Sequence, residues 1–247
     1  MSFDYKDQVV VITGGTRGIG RGLTEAFLKA GATVYATYAR NDEAANAFKE
    51  SQAAYGEQLR LAKFDVTNSV GIQSFFAKLE TEANRLDVLI NNSGIRKDNM
   101  LAMMPDDEWQ NVLDTNLGGT FLMSKYAVPL MMKNRYGRII NMSSIGGRLG
   151  LPGQANYAAS KAGQEAISKV LSKELGKRGI TVNNILPGFI ETELIADLPE
   201  EQVKEYKKQV PLKRFGKIEE VASAVLFLAS KDASYITGAS LEITGGL

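Results

Sequence analysis

The chain has 247 residues, of which 44% are hydrophobic and 23% charged, and its formal net charge is +1 at neutral pH. This balance gives no basic field for nucleic acid, and no apolar run approaches the roughly 20 residues of a membrane-spanning helix. The sequence has neither cysteine nor histidine, which excludes disulfides, thiolate nucleophiles, histidine bases and the commonest metal ligands. Acid–base chemistry must use Asp, Glu, Lys or Tyr, and we expect no metal site. The start of the chain lacks signal-peptide features, so we expect a cytoplasmic protein.

Short apolar runs rich in β-branched residues alternate with segments of helical period along the chain. The predicted strands are Val9–Thr13, Thr33–Thr37, Leu59–Phe64, Val88–Asn91, Arg138–Met142, Thr181–Leu186 and Ser240–Thr244. The predicted helices include Ile19–Ala30, Asp42–Tyr55, Ser69–Ala83, Asp106–Lys133, Ala155–Lys177 and Ile218–Ser230. Continuous apolar strands separated by helices form parallel sheets that are covered on both faces. The pattern therefore predicts an α/β Rossmann-type doubly wound sheet of about seven parallel strands. Without an evident linker, residues 1–247 are expected to form one domain.

The connection between the sixth strand and the last helix, residues 187–214, is long compared with the roughly 2–6 residues usual in α/β units. It opens with Pro187-Gly188 and carries a charged amphipathic stretch, Glu200–Gln209, before Pro211. Long insertions of this kind are commonly functional. We interpret this one as a mobile substrate lid of one or two short helices at the carboxyl ends of the strands.

The first predicted strand leads into a glycine-rich string, Thr13-Gly14-Gly15-Thr16-Arg17-Gly18-Ile19-Gly20. Glycine lets the backbone turn tightly and approach a pyrophosphate that sits on a helix N-terminus. The glycine spacing differs from G-x-G-x-x-G, and a turn without a ligand is the alternative. Its place between a strand and a helix favours a dinucleotide site. We assign to that site Gly14, Thr16, Arg17, Gly18, Ile19 and Gly20.

The residues after the second predicted strand bear on the cofactor ribose. Enzymes that bind NAD usually place an acid there, roughly 20 residues beyond the glycines, to accept a hydrogen bond from the 2′-hydroxyl. This chain has Thr37-Tyr38-Ala39-Arg40 instead, and its first acid is Asp42. Arg17 and Arg40 can bind a 2′-phosphate through charge-assisted hydrogen bonds, although each alone also fits a solvated surface charge. We therefore expect NADP rather than NAD.

A tyrosine and a lysine lie four residues apart in Tyr157-Ala158-Ala159-Ser160-Lys161, near the start of a predicted helix. This spacing places the phenol and the ammonium on one helical face, but alone it also fits an ordinary exposed pair. Ser144 follows the fifth predicted strand, at the edge where substrates bind in doubly wound sheets, and Asn116 lies in the helix before that strand. An ammonium beside the phenol lowers the pKa of tyrosine from its usual value near 10. The group suits proton transfer to a ketone.

Together these motifs resemble the short-chain dehydrogenase/reductase family over the whole chain. The matching segments are Thr13–Gly20, Asp65-Val66, Asn91-Asn92-Ser93-Gly94, Asn116, Ser144, the Tyr157/Lys161 pair and Pro187-Gly188. Ser93 is a small departure, because the family usually has alanine there. The resemblance implies a Rossmann-type oxidoreductase that uses NADPH.

The resemblance also implies roles for individual residues. Tyr157 would give the proton, Ser144 would donate to the developing oxyanion, Lys161 would hold the nicotinamide ribose, and Asn116 would carry a water that relays protons. Asp65 and Val66 would hold the adenine, and Ile190 and Thr192 the nicotinamide carboxamide. The other cofactor contacts implied are Asn92, Gly94, Tyr157, Lys161, Pro187 and Gly188.

Three strings are most similar to the bacterial reductases of 3-oxoacyl groups on acyl carrier protein, namely Asn91–Met100, Gly153–Gly163 and Arg178–Thr192. Arg135 and Arg178 fall where those enzymes have basic residues that dock the acidic carrier. We expect both arginines on helices that flank the cleft, although two arginines near helix ends also fit solvated charges.

Three other functions stay open on the sequence. An acetoacetyl-coenzyme A or polyketide ketoreductase would share the chemistry and differ in the carrier or chain. A sugar or steroid dehydrogenase would share the cofactor and need a different lid. A non-catalytic NADP-binding regulator is a third possibility, and the intact Ser144, Tyr157 and Lys161 argue against it.

Seven of the eight methionines lie between Met100 and Met142, mostly in or beside the predicted helix Asp106–Lys133. Methionine fills interfaces and ordinary cores alike. Members of the family usually pair this helix and the Tyr157 helix across a two-fold axis. We therefore expect a homo-oligomer, a homotetramer above all.

Overall fold

The computed structural model describes residues 3–193 and 199–247. Its parallel sheet has seven strands in the order β3-β2-β1-β4-β5-β6-β7. The strands are β1 Val9–Ile12, β2 Thr33–Tyr38, β3 Leu59–Lys63, β4 Val88–Asn91, β5 Gly137–Met142, β6 Ile180–Pro187 and β7 Ser240–Ile243. The helices of the described ranges are α1 Gly18–Lys29, α2 Asp42–Ser51, α3 Ser69–Ala83, α4 Asp106–Leu113, α5 Gly119–Asn134, α6 Gly146–Leu149, α7 Ala155–Leu175, α8 Glu200–Gln209 and α9 Ile218–Ala229. The predicted fold class is confirmed.

The sheet buries both of its faces, as the continuous apolar strands predicted. Successive strand residues point to opposite faces. Val10 of β1 belongs to the apolar cluster that contains Phe27 of α1 and Val225 of α9, whereas Val11 belongs to the cluster that contains Met123 of α5. Burying one such side chain contributes about 1.5–3 kcal/mol relative to leaving it exposed. The helices therefore pack on both faces of the sheet, and its carboxyl edge can support a precise site.

The winding of the chain reverses between β1 and β4. From β1 the chain builds outward through β2 to β3, and it then crosses back to place β4 on the other side of β1. The loops that follow β1 and β4 diverge at such a switch point, and ligands bind in the crevice between them. Gly14 and Asn92 lie in these two loops.

The predicted helix Asp106–Lys133 is interrupted. It consists of α4, a π-helical turn at Asp114–Gly118, and α5. The amide of Gly119 donates to the carbonyl of Asp114, five residues back. Apolar periodicity does not reveal a single inserted residue, so the prediction of one continuous helix was wrong here. The insertion turns Asn116 into the interior, where its side chain is fully buried. Turns of this kind are frequent at functional sites.

The long connection contains the predicted short helix. Its charged stretch forms α8, and residues 194–198, which also belong to the predicted lid, lie outside the described residues. The ring of Tyr206 in α8 stacks on Phe189 at 4.6 Å between centroids, which fixes α8 against the loop after β6. No described helix is both long and apolar enough to cross a membrane.

Candidate active site

The glycine-rich string forms a tight turn between β1 and α1. Gly14 and Gly18 have positive φ angles of 63° and 50°, which glycine adopts without strain. At Gly20 a Cβ would lie 2.1 Å from the Gly14 carbonyl oxygen, so no larger residue fits. Arg17 caps α1 without a side-chain hydrogen bond to the first turn, and the first amides of the helix are left for an anion. Thr16 and Ile19 are half-buried beside them.

The loop after β4 holds this turn in place. The Thr13 hydroxyl accepts hydrogen bonds from the amides of Asn92 and Ser93, both at 2.9 Å. The Asn92 side chain donates to the carbonyls of Thr13 at 2.9 Å and Gly14 at 3.2 Å. The sequence assigned Asn92 to the cofactor, but its side-chain amide is engaged by the turn. The Asn92 main-chain N–H and side-chain Nδ2 therefore position the turn, and its main-chain carbonyl is left for a ligand.

The residues assigned to the adenine follow β3 at the same edge. Asp65 accepts hydrogen bonds from the Thr67 amide and hydroxyl through Oδ1 alone. Within the described residues its Oδ2 has no hydrogen-bond partner. Val66 is buried and packs on Gly119, where a Cβ would lie 2.8 Å from Val66 Cγ2. The Asp65 carboxylate is thus the polar group of this pair that can recognise a base.

The loop after β6 presents backbone groups. Pro187 is the last residue of β6. Gly188 lies close to Thr244, because a Cβ on Gly188 would be 3.0 Å from the Thr244 Cα. Ile190 pairs with Gly216 in a parallel β-bridge. The hydrogen bonds of this bridge are made by the neighbours of Ile190: the Glu191 amide donates to the Gly216 carbonyl, and the Gly216 amide donates to the Phe189 carbonyl. The N–H and C=O of Ile190 itself point the other way. Its side chain is buried in the core, so Ile190 can hold a carboxamide through its backbone only.

A cavity of about 720 Å³ lies between the start of α1, the loop after β6 and α8. Its lining includes Gly18, Thr192, Val203 and Phe215. The half-buried Thr192 therefore faces the same space as the phosphate turn. Residues of α8 therefore line one side of this cavity.

The end of β2 is electropositive. Arg17 and Arg40 are exposed, and neither forms an ion pair or a side-chain hydrogen bond with the described residues. The nearest acid, Asp42, accepts from Lys63 Nζ at 2.6 Å and from the Tyr38 hydroxyl at 3.0 Å. The hydrogen bonds from Lys63 and Tyr38 hold the pKa of Asp42 below its usual range. Its charge is therefore already compensated, and the two arginines can bind an anion.

Ser144 and Tyr157 meet at the carboxyl edge of the sheet. Ser144 follows β5, and its Oγ accepts from the Gly146 amide at 3.1 Å. A Cβ on Gly146 would lie 3.3 Å from Ser144 Oγ and 3.4 Å from Tyr157 Cε1. The two side chains therefore flank the same point. Lys161 lies one turn along α7, with its Nζ 5.6 Å from the centre of the Tyr157 ring.

Asn116 joins this group through the loop after β4. Its Oδ1 accepts from the Ile95 amide at 2.8 Å, and its Nδ2 donates to the Ile95 carbonyl and to Ser160 Oγ, both at 3.0 Å. Gly94 lies between the groups, because a Cβ there would be 3.2 Å from Asn116 Oδ1 and 3.6 Å from Lys161 Nζ. The structure thus brings the four predicted catalytic residues together. The Asn116 side chain fixes the loop, and this leaves its main-chain carbonyl as the group that faces inward.

Burial dominates the electrostatics of the pair. It lowers the pKa of Lys161 to about 7, and the Nζ atom donates to the Met142 carbonyl at 2.7 Å. Burial also raises the pKa of Tyr157, and hydrogen bonding with Ser144 only partly opposes the rise. We expected the Lys161 ammonium to lower this pKa. That expectation was wrong for the described arrangement, because desolvation raises the pKa of Tyr157 and the opposing contributions come from Ser144 and Arg96 rather than from Lys161.

Arg135 and Arg178 lie elsewhere. Arg135 caps the carboxyl end of α5 just before β5, and Arg178 follows α7 just before β6. They are neighbours, since Arg135 Nη2 donates to the Lys177 carbonyl at 3.1 Å. Both are at the amino edge of the sheet, whereas Tyr157 is at the other end of α7, roughly 30 Å away at 1.5 Å per residue. The prediction that they flank the cleft of their own chain was wrong.

Two polar residues at the site were given no role by sequence reasoning. Thr13 organises the phosphate turn, and Gln164 contacts both Lys161 and the Asn116 carbonyl. Thr13 was included in the glycine-rich segment, but nothing in the sequence shows that its hydroxyl bonds to the loop after β4. Gln164 follows Lys161 by three residues and therefore shares its helical face, which is a signal that the sequence does contain.

Comparison with known proteins places these features in a family. Residues 14–247 match the family described as "Enoyl-(Acyl carrier protein) reductase". The chain is 43% identical to the 3-oxoacyl-acyl-carrier-protein reductase FabG of Escherichia coli strain K12 over 244 residues, which cover 99% of this chain and 98% of the relative. It is 40% identical to the FabG of Aquifex aeolicus over 247 residues, with both chains fully covered.

A solved structure shows the same fold. The putative gluconate dehydrogenase from Agrobacterium tumefaciens superposes with a TM-score of 0.94 at 28% sequence identity. The match covers 99% of this chain and 97% of that one. The fold is therefore shared with a protein that is named for a sugar acid.

We expect Gly20→Ala to lower the affinity for a nicotinamide dinucleotide at least about tenfold, because the turn must open to admit a Cβ 2.1 Å from the Gly14 oxygen. Overpacking of this kind costs typically about 1–3 kcal/mol. Cofactor fluorescence titration measures the affinity, and thermal unfolding measures the stability. Gly176→Ala is the control, since its φ is −56° and its Cβ would meet no atom within 4 Å. Unchanged affinity in Gly20→Ala would contradict the tight turn.

Proposed function

Because this chain belongs to the short-chain dehydrogenase/reductase family, we propose that it reduces 3-oxoacyl groups on acyl carrier protein with NADPH, in cytoplasmic fatty acid biosynthesis. The observation that carries the proposal is the convergence of Ser144, Tyr157 and Lys161 beside the phosphate turn. Two relatives that match along the full chain are named for this reaction.

The residues suit the reduction of a ketone to an alcohol. When bound, the reduced nicotinamide supplies a hydride to the carbonyl carbon. The Ser144 hydroxyl would donate a hydrogen bond to the carbonyl oxygen as negative charge develops there. Tyr157 would then transfer its phenolic proton to that oxygen, which completes the hydroxyl group. The phenolate left on Tyr157 is favoured by a charged Lys161 and regains a proton from solvent through the buried polar groups around it.

The residues present also fit the cofactor. The cradle at Gly20 admits no side chain, the first amides of α1 are left for a pyrophosphate, and the backbone of Ile190 is available to a carboxamide. Arg17 and Arg40 would hold a 2′-phosphate, whereas the compensated Asp42 would repel it little. We therefore propose NADPH as the cofactor.

The substrate separates this proposal from its alternatives. The matched family is described by an enoyl reductase, which acts on a carbon–carbon double bond, but the named relatives reduce a ketone. A proton donor and an oxyanion donor at one point, Tyr157 and Ser144, suit a ketone oxygen. A coenzyme A or polyketide ketoreductase would share this site, and a sugar dehydrogenase would share the fold. Turnover of acetoacetyl thioesters on both carriers distinguishes these enzymes from each other and from a non-catalytic regulator.

Docking of the carrier at Arg135 and Arg178 requires a second copy of the chain. The carboxyl ends of α5 and α7 carry these arginines, and the amino ends carry the Asn116 turn and Tyr157. An antiparallel two-fold pairing of α5 and α7 would bring the arginines of one copy to the cleft of the other. Exposed apolar side chains mark these helices, Phe121 at 51% and Val170 at 54% exposure.

Met123 and Met131 of α5 do not support this pairing, because both are fully buried in their own core; of the methionines before α4, Met100 and Met103 are exposed. The exposed apolar side chains of Phe121 and Val170 support the pairing instead. We propose a homotetramer built from such pairs.

We expect Tyr157→Phe to lower kcat about 10²–10⁴-fold, the usual worth of a general acid or base, and to leave NADPH affinity nearly unchanged. Lys161→Ala should lower both kcat and the affinity for NADPH, because Lys161 would bind the ribose and also take part in proton transfer. Steady-state kinetics with an acetoacetyl thioester and cofactor titration measure the two effects. Tyr235→Phe, at a fully exposed tyrosine, is the control. A Tyr157→Phe enzyme with most of its activity would refute the assignment.

We expect Arg40→Asp to weaken NADPH binding at least about tenfold and to spare NADH. A hydrogen bond to a charged group contributes roughly 1.5–3 kcal/mol, and 1.4 kcal/mol is a factor of ten in affinity. Dissociation constants for both cofactors provide the measurement, with NADH as the internal control. Equal efficiency of the wild-type enzyme with NADPH and NADH would contradict the cofactor proposal.

We expect the double variant Arg135→Glu with Arg178→Glu to slow turnover of the carrier-bound substrate and to affect the coenzyme A analogue much less. Exposed charges mainly raise the association rate with an acidic partner, so the defect should shrink as salt screens them beyond about 10 Å at 0.1 M. Lys29→Glu with Lys49→Glu makes the same charge change at exposed lysines of α1 and α2 and is the control. Equal loss with both substrates, or no loss, would remove the docking proposal.

A further inference from the structure

Gln164 is a long polar side chain that is completely buried beside the catalytic group. It lies on α7 three residues after Lys161, and its exposed fraction is 0%. A buried amide is costly unless its oxygen and both of its protons find partners. All three are satisfied here, by residues that belong to the site.

The hydrogen bonds leave the amide only one orientation. The Asn116 carbonyl can only accept, and it accepts from Gln164 Nε2 at 3.0 Å and from the Thr120 hydroxyl at 2.8 Å. Since Thr120 gives its proton to that carbonyl, its oxygen is free to accept the second proton of Gln164 Nε2, at 2.7 Å. The nitrogen end of the amide therefore faces the Asn116 turn. Gln164 Oε1 must face Lys161, whose Nζ donates to it at 3.2 Å.

Lys161 is thus held between two carbonyl oxygens, those of Met142 and Gln164. An ammonium has three donors, so one is left to face Tyr157 and a ligand. Carbonyl acceptors favour the charged ammonium over the neutral amine, and this favourable contribution opposes the burial that discharges it. The Asn116 carbonyl, which the π-helical turn directs inward, anchors the far end of the bridge.

We propose that Gln164 is a positioning residue, which fixes the Lys161 ammonium and keeps it charged by bridging it to the Asn116 turn. The inference deepens the proposed reductase function and rests on it for its effect on catalysis. The bridge also gives the site a built-in connection between Lys161 and Asn116 that does not depend on a water.

No charged side chain among the described residues contacts Lys161, so Gln164 is the side chain that can stabilise its ammonium. Lys161 forms no ion pair with the described residues, and the groups that touch it besides Gln164 are neutral. The charged groups on the elements packed around this part of α7 are Asp106, Asp107 and Asp114, the Arg96–Asp98 and Lys97–Glu108 pairs, and Arg148, which pairs with Glu165 of α7. On α7 itself the other charged residues, Lys169, Lys173 and Glu174, are exposed. Tyr157 is the titratable side chain of α7 that lies beside Lys161, and burial raises its pKa.

Two substitutions test the proposal in opposite directions. Reduction needs a charged Lys161, so activity falls as pH rises through its pKa of about 7. Gln164→Leu removes the acceptor, so the pKa of Lys161 should fall and the alkaline limb of kcat/KM should move to lower pH by about one unit. Gln164→Glu supplies a charged acceptor, so the limb should move to higher pH. The shift should appear in kcat more than in KM.

A second measurement does not depend on the substrate. Competitive acetylation of lysines across a pH series, read by peptide mass spectrometry, gives the pKa of Lys161 in each protein. Ser168→Ala is the matched control, because Ser168 is equally buried one turn further along α7 and its hydroxyl bonds to Asn141, Asn184 and the Gln164 main-chain carbonyl, but not to the Gln164 side chain. It should lose stability and keep the wild-type pKa of Lys161.

The outcomes separate the two proposals. Opposite shifts of the Lys161 pKa in Gln164→Leu and Gln164→Glu, with none in Ser168→Ala, support the role even if the true substrate is another ketone. An unchanged Lys161 pKa in all three variants, with only lower stability, would overturn it and leave Gln164 a packing residue. Failure of the wild-type enzyme to reduce any 3-oxoacyl thioester would refute the proposed function alone.

Discussion

The burial of one amino group, that of Lys161, governs the local architecture. Removing an ammonium from water is costly, and a lysine without compensation loses its proton. The chain compensates with the carbonyl that ends β5 and with the amide of Gln164. Gly94 must be glycine because a Cβ would press on Asn116 and approach Lys161. The π-helical turn, the end of β5 and the first turns of α7 are all arranged around this group.

The same constraint explains why so much polarity is buried at the carboxyl half of the sheet. Asn91 donates to Asn141 at 2.8 Å, Asn141 donates to Ser168 at 2.8 Å, and Ser168 lies 2.6 Å from Asn184 Oδ1. These side chains cross the sheet beneath the site and tie α7 to β4, β5 and β6. Buried hydrogen bonds of this kind specify one arrangement more strongly than apolar contacts do, although Asn91 Oδ1 is buried without a partner among the described residues. The network fixes the middle of α7 on the sheet, and the helix extends from there to Tyr157.

The sequence predicted the elements well because apolar strands and helical periods are local patterns. All seven strands lie within about one residue of their expected positions, whereas the π-helical turn and α6 were missed, since neither alters a hydrophobic period. The candidate catalytic residues could be identified because several family motifs occur together in the sequence. The raised pKa of Tyr157 could not be predicted, because burial depends on the packed structure. For Arg135 and Arg178 the sequence suggested a function but placed them wrongly. Their sequence context suggested docking, and only the direction of the strands reveals that they lie at the far edge of the sheet.

That placement bears on specificity. A sheet shared at a TM-score of 0.94 with a putative sugar-acid dehydrogenase cannot by itself select a substrate. In the proposed function, the groups around Tyr157 would recognise a ketone oxygen and a nicotinamide, and neither contact would distinguish a thioester from a sugar. Selection must therefore come from surfaces that the chemistry does not use. Cations at the amino edge, which only a second copy can bring to the cleft, meet this condition. They would couple the choice of carrier to assembly, so that a monomer could keep the chemistry and lose its preference.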